Sequence, residues 1–95
     1  MEQKKTPLQE AQQRYYSWLL KSNYDEEISK KLAFRTEQEM ADFEREVLEN
    51  IDKMSVKWPR TAEKEKEAFK NLDLWNKLHI MHYYTPSSFV DLLFL

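Results

Sequence analysis

The sequence predicts an all-α protein, a small bundle of four to five short helices with an extended hydrophobic C-terminal tail. The 95-residue chain contains no glycine, on which tight hairpin turns depend for positive φ angles, so sheets built from hairpins are disfavoured. Apolar residues recur every three or four positions, which is the period of a helix. Threonines of the kind that cap helices stand before these runs. A chain of this length forms one domain, with a helical body at residues 1–85 and a tail at residues 86–95.

The first helix is predicted to begin at Thr6. Pro7 suits the first helical position, and Gln9 completes a capping box with Thr6. Asn23 is predicted to end this helix, because asparagine tolerates the left-handed conformation and the chain has no glycine for that role. The acidic residues 25–27 then favour the first turn of a short second helix, where negative charge interacts well with the helix dipole.

The third helix has the strongest pattern in the chain. Thr36 and Glu39 form a second capping box at its start. Apolar side chains then follow at spacings of three and four, at Met40, Phe43, Val47, Ile51 and Met54. The opposite face is acidic, and residues 36–56 hold seven acidic against two basic residues. This helix is therefore expected to lie on the surface of the core with its outer face in water.

The remaining helices are predicted from breaks in the pattern. The Trp-Pro step at residues 58–59 stops the third helix, because the residue before a proline is pushed out of the helical region. Thr61 is expected to start a fourth helix, which Asn71 or Asp73 divides into two. The Thr-Pro step at residues 85–86 is expected to end this span.

Composition excludes several classes of function. Without cysteine there is no disulfide framework and no thiol catalysis, and without glycine a phosphate-binding loop is disfavoured, so no cofactor is expected. The net charge is −2 and no basic face stands out, which makes the chain a poor DNA-binding protein on its own. No apolar run approaches the ~20 residues that cross a bilayer, and the first residues do not resemble a signal peptide. We therefore expect an intracellular protein that does not contact a membrane.

Catalytic and metal-binding patterns are weak. The many carboxylates lie at solvent-facing helical positions, and the serines show no nucleophile motif, so an enzyme is not expected. His79 and His82 are three residues apart and share a helix face, which is a spacing that suits a metal. No matched pair of ligands accompanies them, so a capping or interface role is favoured and no metal is predicted.

Aromatic residues are more numerous than a core of this size can bury. Tyrosine and tryptophan dominate the hot spots of protein interfaces, so the surplus predicts a docking surface in the last predicted helix of the body. The residues assigned to this surface are Trp75, Leu78, Ile80, Met81 and Tyr84.

The last ten residues differ in kind from the rest. Six of the final seven are large and apolar, beyond a proline that separates them from the preceding helix. Chain ends are usually polar and frayed unless another surface holds them. The tail is therefore expected to be buried in a partner protein. The alternative is that it folds back onto the core of its own chain.

This ending resembles the sliding-clamp-binding tails of T-even-type bacteriophages, in which a hydroxyl residue precedes alternating acidic and large apolar residues. The resemblance assigns clamp binding to Ser88, Phe89, Val90, Asp91, Leu92, Leu93, Phe94 and Leu95. Such tails occur on the phage DNA polymerase, on the sigma-like late promoter factor and on the late-transcription coactivator. The small size and acidic, helical character of this chain are similar to those of the coactivator family.

The resemblance implies a bridging function. In that family the tail binds the phage sliding clamp, and the helical body binds the flap of the host RNA polymerase β subunit, in one complex with the sigma-like promoter factor. It implies no sequence-specific contact with nucleic acid, and a location in the cytoplasm of an infected bacterial host. The surplus aromatic surface described above is the predicted polymerase contact.

Two other functions stay open on the sequence. In the first, the acidic helix from Glu37 to Asp52 mimics DNA and occludes a host enzyme, as a small phage or mobile-element inhibitor would. In the second, the hydrophobic tail completes a homo-oligomer, and the chain is a structural module.

Overall fold

The computed structural model describes residues 5–95, which form six α-helices and, within that range, no strand. The helices are α1 (Pro7–Lys21), α2 (Glu26–Ala33), α3 (Glu37–Met54), α4 (Pro59–Lys70), α5 (Leu74–Tyr83) and α6 (Pro86–Leu93). The predicted all-α class is confirmed. The number of helices is one more than expected, and the additional one is α6.

The first half of the chain follows its local signals closely. The backbone N–H of Gln9 donates to Thr6 Oγ1 at 3.1 Å, and that of Glu39 donates to Thr36 Oγ1 at 3.0 Å. Both capping boxes are complete. Asn23 has a φ of 68°, the left-handed conformation predicted for it after α1. These starts and stops therefore depend on groups within a few residues of each other in the sequence.

The span between residues 59 and 83 is divided as predicted, but it begins earlier. Asp73 caps α5 by accepting a hydrogen bond from the backbone N–H of Asn76 at 2.8 Å. Helix α4 begins at Pro59 and not at Thr61, so that expectation was wrong by two residues. Proline has the φ angle of a helix and no N–H to satisfy, so it takes the first helical position without a side-chain cap before it.

The extended tail predicted for residues 86–95 is wrong. Residues 86–93 form α6, with a capping box in which the N–H of Ser88 donates to Thr85 Oγ1 at 3.2 Å. Phe89 and Val90 are buried, and α6 packs mainly on α3. Pro86 starts this helix although it was interpreted as a stop, because a proline that ends one helix also suits the first position of the next.

The helices surround two separate hydrophobic cores. The N-terminal core lies among α1, α2 and α5, and its buried members are Ala11, Tyr15, Leu19, Ala33 and Leu78. The C-terminal core lies among α3, α4 and α6, and its buried members are Val47, Ile51, Ala62, Phe69, Phe89 and Val90. Helix α5 lies between them, because Leu78 belongs to the first core while Ile80 packs against the second.

Two side-by-side cores make the molecule long. Its radius of gyration is 15.0 Å and it measures 50 × 32 × 18 Å. A compact domain of this length would have a radius of gyration of about 12 Å. An elongated bundle exposes more surface for its size, and both of its ends are available to partners.

The helices are short relative to a membrane. The longest, α3, has 18 residues and an acidic face, and the more apolar α5 and α6 have 10 and 8 residues. A span of a bilayer takes about 20 apolar residues. Among residues 5–95, no helix has the length and the apolar character that crossing a membrane requires.

Candidate protein-interaction surfaces

Helix α6 divides the predicted clamp-binding residues into an inner and an outer group. Phe89 and Val90 are buried in the C-terminal core, and Leu93 and Phe94 pack partly against it. The outer residues are Ser88, Asp91, Leu92 and Leu95. Leu92 is 48% exposed and Leu95 98% exposed, so the last turn and the residue after it present apolar groups to solvent.

The inner group holds α6 in place. The ring centroid of Phe89 lies 5.7 Å from that of Phe69 in α4 and 6.0 Å from that of Tyr84. Such aromatic pairs add to the free energy gained from burial. A partner that contacts α6 in this conformation therefore meets its outer side and its C-terminal end, and not the side chain of Phe89.

The end of α6 lies beside the start of α4. Trp58 and Thr61 line an open cavity of about 250 Å³ together with Leu93, Phe94 and Leu95. We call these five residues the C-terminal groove. Trp58 is half exposed and belongs to neither core. Sequence reasoning did not select Trp58 as a site residue, although its position before a proline, outside every helical stripe, was a usable signal.

The predicted polymerase-binding residues of α5 do not form one exposed surface. Leu78 and Met81 are buried, Trp75 and Ile80 are half buried, and Tyr84 is exposed. They separate because α5 is apolar on most of its circumference and packs against α1, α2 and α3. In this conformation the exposed residue of the predicted contact is Tyr84, whereas Trp75 packs against the N-terminal core and Ile80 against the C-terminal core.

A cluster of polar aromatic side chains lies between α1 and α5. The hydroxyl of the fully buried Tyr15 lies 2.8 Å from His82 Nδ1 and 3.4 Å from His79 Nδ1. Because a hydroxyl has one proton, it can donate a hydrogen bond to only one of these two nitrogens. If the other nitrogen is also bonded to the hydroxyl, it must be protonated and donate to the hydroxyl oxygen. The shorter distance favours His82 as the acceptor. The imidazole of His79 stacks on Trp75 with ring centroids 5.3 Å apart.

The ionisation of this cluster follows its burial. Burial, with smaller contributions from Tyr83 and Tyr24, raises the pKa of the Tyr15 hydroxyl far above its usual value. Burial also lowers the pKa of His82, and the nearby His79 and Arg35 lower it further. The two effects favour neutral groups, which suits a structural hydrogen-bond network. Among residues 5–95, no three His, Asp or Glu side chains converge as metal ligands would.

The acidic face of α3 is partly neutralised by cations. Asp42 lies 3.0 Å from Arg45, whose guanidinium is also 3.8 Å from Glu49. Two further pairs join helices, Asp52 with Lys66 of α4 at 2.7 Å and Glu44 with Lys77 of α5 at 3.4 Å. A DNA mimic presents unpaired negative charge to its target, so these pairs give the inhibitor hypothesis little support.

Comparisons with known proteins return no relative. No family model matches the chain, and neither a curated protein nor a solved structure matches it significantly. The residues themselves, with the resemblance of the last eight to clamp-binding tails, are therefore the only indications of function.

Proposed function

We propose that this protein is a late-transcription coactivator of the T-even phage type. It is an adaptor that binds the phage sliding clamp with the end of α6 and the flap of the host RNA polymerase β subunit with its helical body. The observation that carries the proposal is the exposure of Leu92 and Leu95 in the segment that resembles clamp-binding tails. Its place of action is the cytoplasm of an infected bacterium, in one complex with the sigma-like promoter factor.

The packing of α6 changes which residues make the clamp contact. Phe89 and Val90 hold the helix on α3, so the contact is made by Leu92 and the residues after it, with Ser88 and Asp91 exposed beside them. Burying two leucines contributes about 1.5–3 kcal/mol each before the costs of association. A contact of this size is weak on its own, and it is effective only when a second contact accompanies it.

The second contact is the one to RNA polymerase. Tyr84 is the exposed residue of the surface assigned to it, and Trp75 and Ile80 are half buried. Because a protein held by both partners binds the second one intramolecularly, two weak contacts give strong recruitment. A clamp that encircles DNA then raises the local concentration of polymerase near a promoter, without any base-specific contact by the adaptor.

The clamp contact is tested by a double substitution, Leu92→Asp with Leu95→Asp. Clamp affinity should fall at least about tenfold, because charged groups replace the apolar side chains that the pocket buries. Binding is measured by calorimetric titration with the sliding clamp of a T-even-type phage. Thermal unfolding checks that both proteins are folded.

The matched control is Ile28→Asp in α2. Ile28 is 50% exposed, about as much as Leu92, and it lies in a helix that borders the N-terminal core. This control should bind the clamp with unchanged affinity. Equal affinity of the unchanged protein and the Leu92/Leu95 variant would contradict the proposal.

The homo-oligomer is the second candidate, because the same exposed leucines suit a self-association surface. It predicts a mass that rises with protein concentration in light scattering and falls to that of the monomer in the Leu92/Leu95 variant. A constant monomer mass, together with clamp binding, favours the adaptor.

A further inference from the structure

We infer that the turn between α3 and α4 forms the second half of the surface that binds the clamp, and that the clamp presents acidic residues around an apolar pocket there. The inference rests on the proposed function, because it concerns the same partner. It adds Trp58 and a set of cations to the contact, and it states the chemistry of the opposing surface.

Trp58 is placed to share one pocket with the end of α6. Its side chain lines the C-terminal groove with Leu93, Phe94 and Leu95. It is 51% exposed although it is the largest side-chain type, and it is not a member of either core. Tryptophan is among the residue types most enriched in interface hot spots. A partner that takes up Leu95 therefore meets the indole ring in the same groove.

The turn that carries Trp58 is basic. Lys53, Lys57 and Arg60 are all exposed, and residues 53–61 contain no acidic residue. None of the three cations forms an ion pair with another residue of the described range 5–95. On α3, by contrast, Arg45 pairs with Asp42 and Glu49. Complementary charge across an interface steers association and selects the partner, so an acidic opposing surface is the one that this turn fits.

The occupant is a protein and not a nucleic acid. Three cations provide little of the phosphate neutralisation on which nucleic-acid affinity depends. An apolar groove of four aromatic and aliphatic side chains has no role against phosphates, whereas it matches an apolar side chain or pocket of a protein. An apolar centre with charged residues nearby, as in the turn that carries Trp58, is the usual anatomy of a protein interface.

Trp58 is tested by Trp58→Ala, with Tyr83→Ala as the matched control. Both side chains are 51% exposed, and Tyr83 lies at the end of α5 beside the aromatic cluster. Clamp affinity should fall at least about tenfold in Trp58→Ala and stay unchanged in Tyr83→Ala. Calorimetric titration with the phage clamp measures both, and thermal unfolding confirms that both variants are folded.

The charges are tested by Lys57→Glu with Arg60→Glu, against the control Lys21→Glu with Lys31→Glu. Lys21 and Lys31 are exposed residues of α1 and α2, so the control changes the net charge by the same amount at a distant place. At about 50 mM salt the turn variant should bind the clamp roughly tenfold more weakly than the control. At about 500 mM salt the difference should shrink to about twofold, because salt screens exposed charges.

The outcomes separate this inference from the proposed function. If the Leu92/Leu95 variant loses clamp binding while Trp58→Ala and the turn variant do not, the inference is wrong and the function stands. If the full chain does not bind the clamp, both fall. If Trp58→Ala weakens clamp binding but the turn variant does not, the inference that the opposing surface is acidic is wrong. A nucleic acid is the occupant instead if the unchanged protein binds a short DNA duplex or single strand, the turn variant loses that binding, and clamp affinity is unchanged.

Discussion

The two cores of this protein are held together by different forces. The N-terminal core contains a buried hydroxyl with two imidazoles beside it, and several aromatic rings pack around them. The C-terminal core contains only aliphatic and phenylalanine side chains among its buried members. The first core therefore depends on hydrogen-bond satisfaction as well as packing, whereas the buried part of the second depends on packing.

Helix α5 couples the two regions. Leu78 packs in the N-terminal core, while Lys77 pairs with Glu44 of α3 at 3.4 Å and lies 5.6 Å from the centre of the Phe69 ring. A helix that serves two cores has little free surface, which explains why most of the predicted polymerase contact is buried. The exposed aromatic residues of this region are Tyr83, at the end of α5, and Tyr84, which follows it.

The largest effect is expected in the C-terminal core, from Phe89→Ala. Removing the ring leaves a cavity next to Phe69 and should lower the free energy of unfolding by about 3–5 kcal/mol. Urea unfolding measures it, and Leu95→Ala, which removes a fully exposed leucine, should change stability very little. A loss below about 1 kcal/mol in Phe89→Ala would mean that α6 is not anchored by packing.

A smaller effect is expected in the N-terminal core, from Tyr15→Phe. The substitution leaves packing intact but removes the hydroxyl partner of His82, and the loss of one part-buried hydrogen bond costs about 0.5–1.5 kcal/mol. Urea unfolding again gives the change. Tyr16→Phe is the control, because the hydroxyl of Tyr16 has no hydrogen bond in the described structure and its loss should be neutral. Equal effects of the two substitutions would contradict the role of the network.

The smallest effect is a pH dependence that only the N-terminal core should show. The pKa of His82 is lowered in the folded protein, so the unfolded chain binds the proton more readily. His82 therefore contributes full stability above the unfolded histidine pKa of about 6.5, and this contribution is lost as the pH falls through the lower folded value. Thermal unfolding between about pH 7 and pH 5 measures the decline.

His82→Gln tests that assignment, because glutamine retains a hydrogen-bond acceptor and does not titrate. The unfolding temperature of this variant should decline less steeply with falling pH than that of the unchanged protein. Identical slopes would place the pH dependence elsewhere in the molecule.

Local signals in the sequence predicted most of the helix boundaries. Thr6 and Thr36 cap their helices, Asn23 takes the left-handed conformation and Asp73 begins α5, because each of these effects acts within one helical turn. A similar local signal precedes α6. Thr85 stands before a proline as Thr6 does, but its threonine-proline pair was interpreted only as an end.

The candidate site was predicted less completely. The sequence predicted residues 88–95 as one site, and Phe89 and Val90 could not be distinguished from Leu92 before α6 was known. In a helix, residues three or four apart share a face, whereas the tail had been treated as extended. Trp58 was missed because its apolar neighbours in the groove, Leu93, Phe94 and Leu95, lie more than thirty residues away in the sequence.

By itself, the sequence determined that this protein is helical and where most of its helices begin, since capping and turn conformations involve residues that are neighbours along the chain. The tertiary structure alone decided that the apolar residues form two cores and not one, that α5 is buried between them, and that the last turn of α6 lies beside Trp58. Those arrangements depend on contacts between distant segments, and many pairings of amphipathic helices satisfy the same periodic pattern.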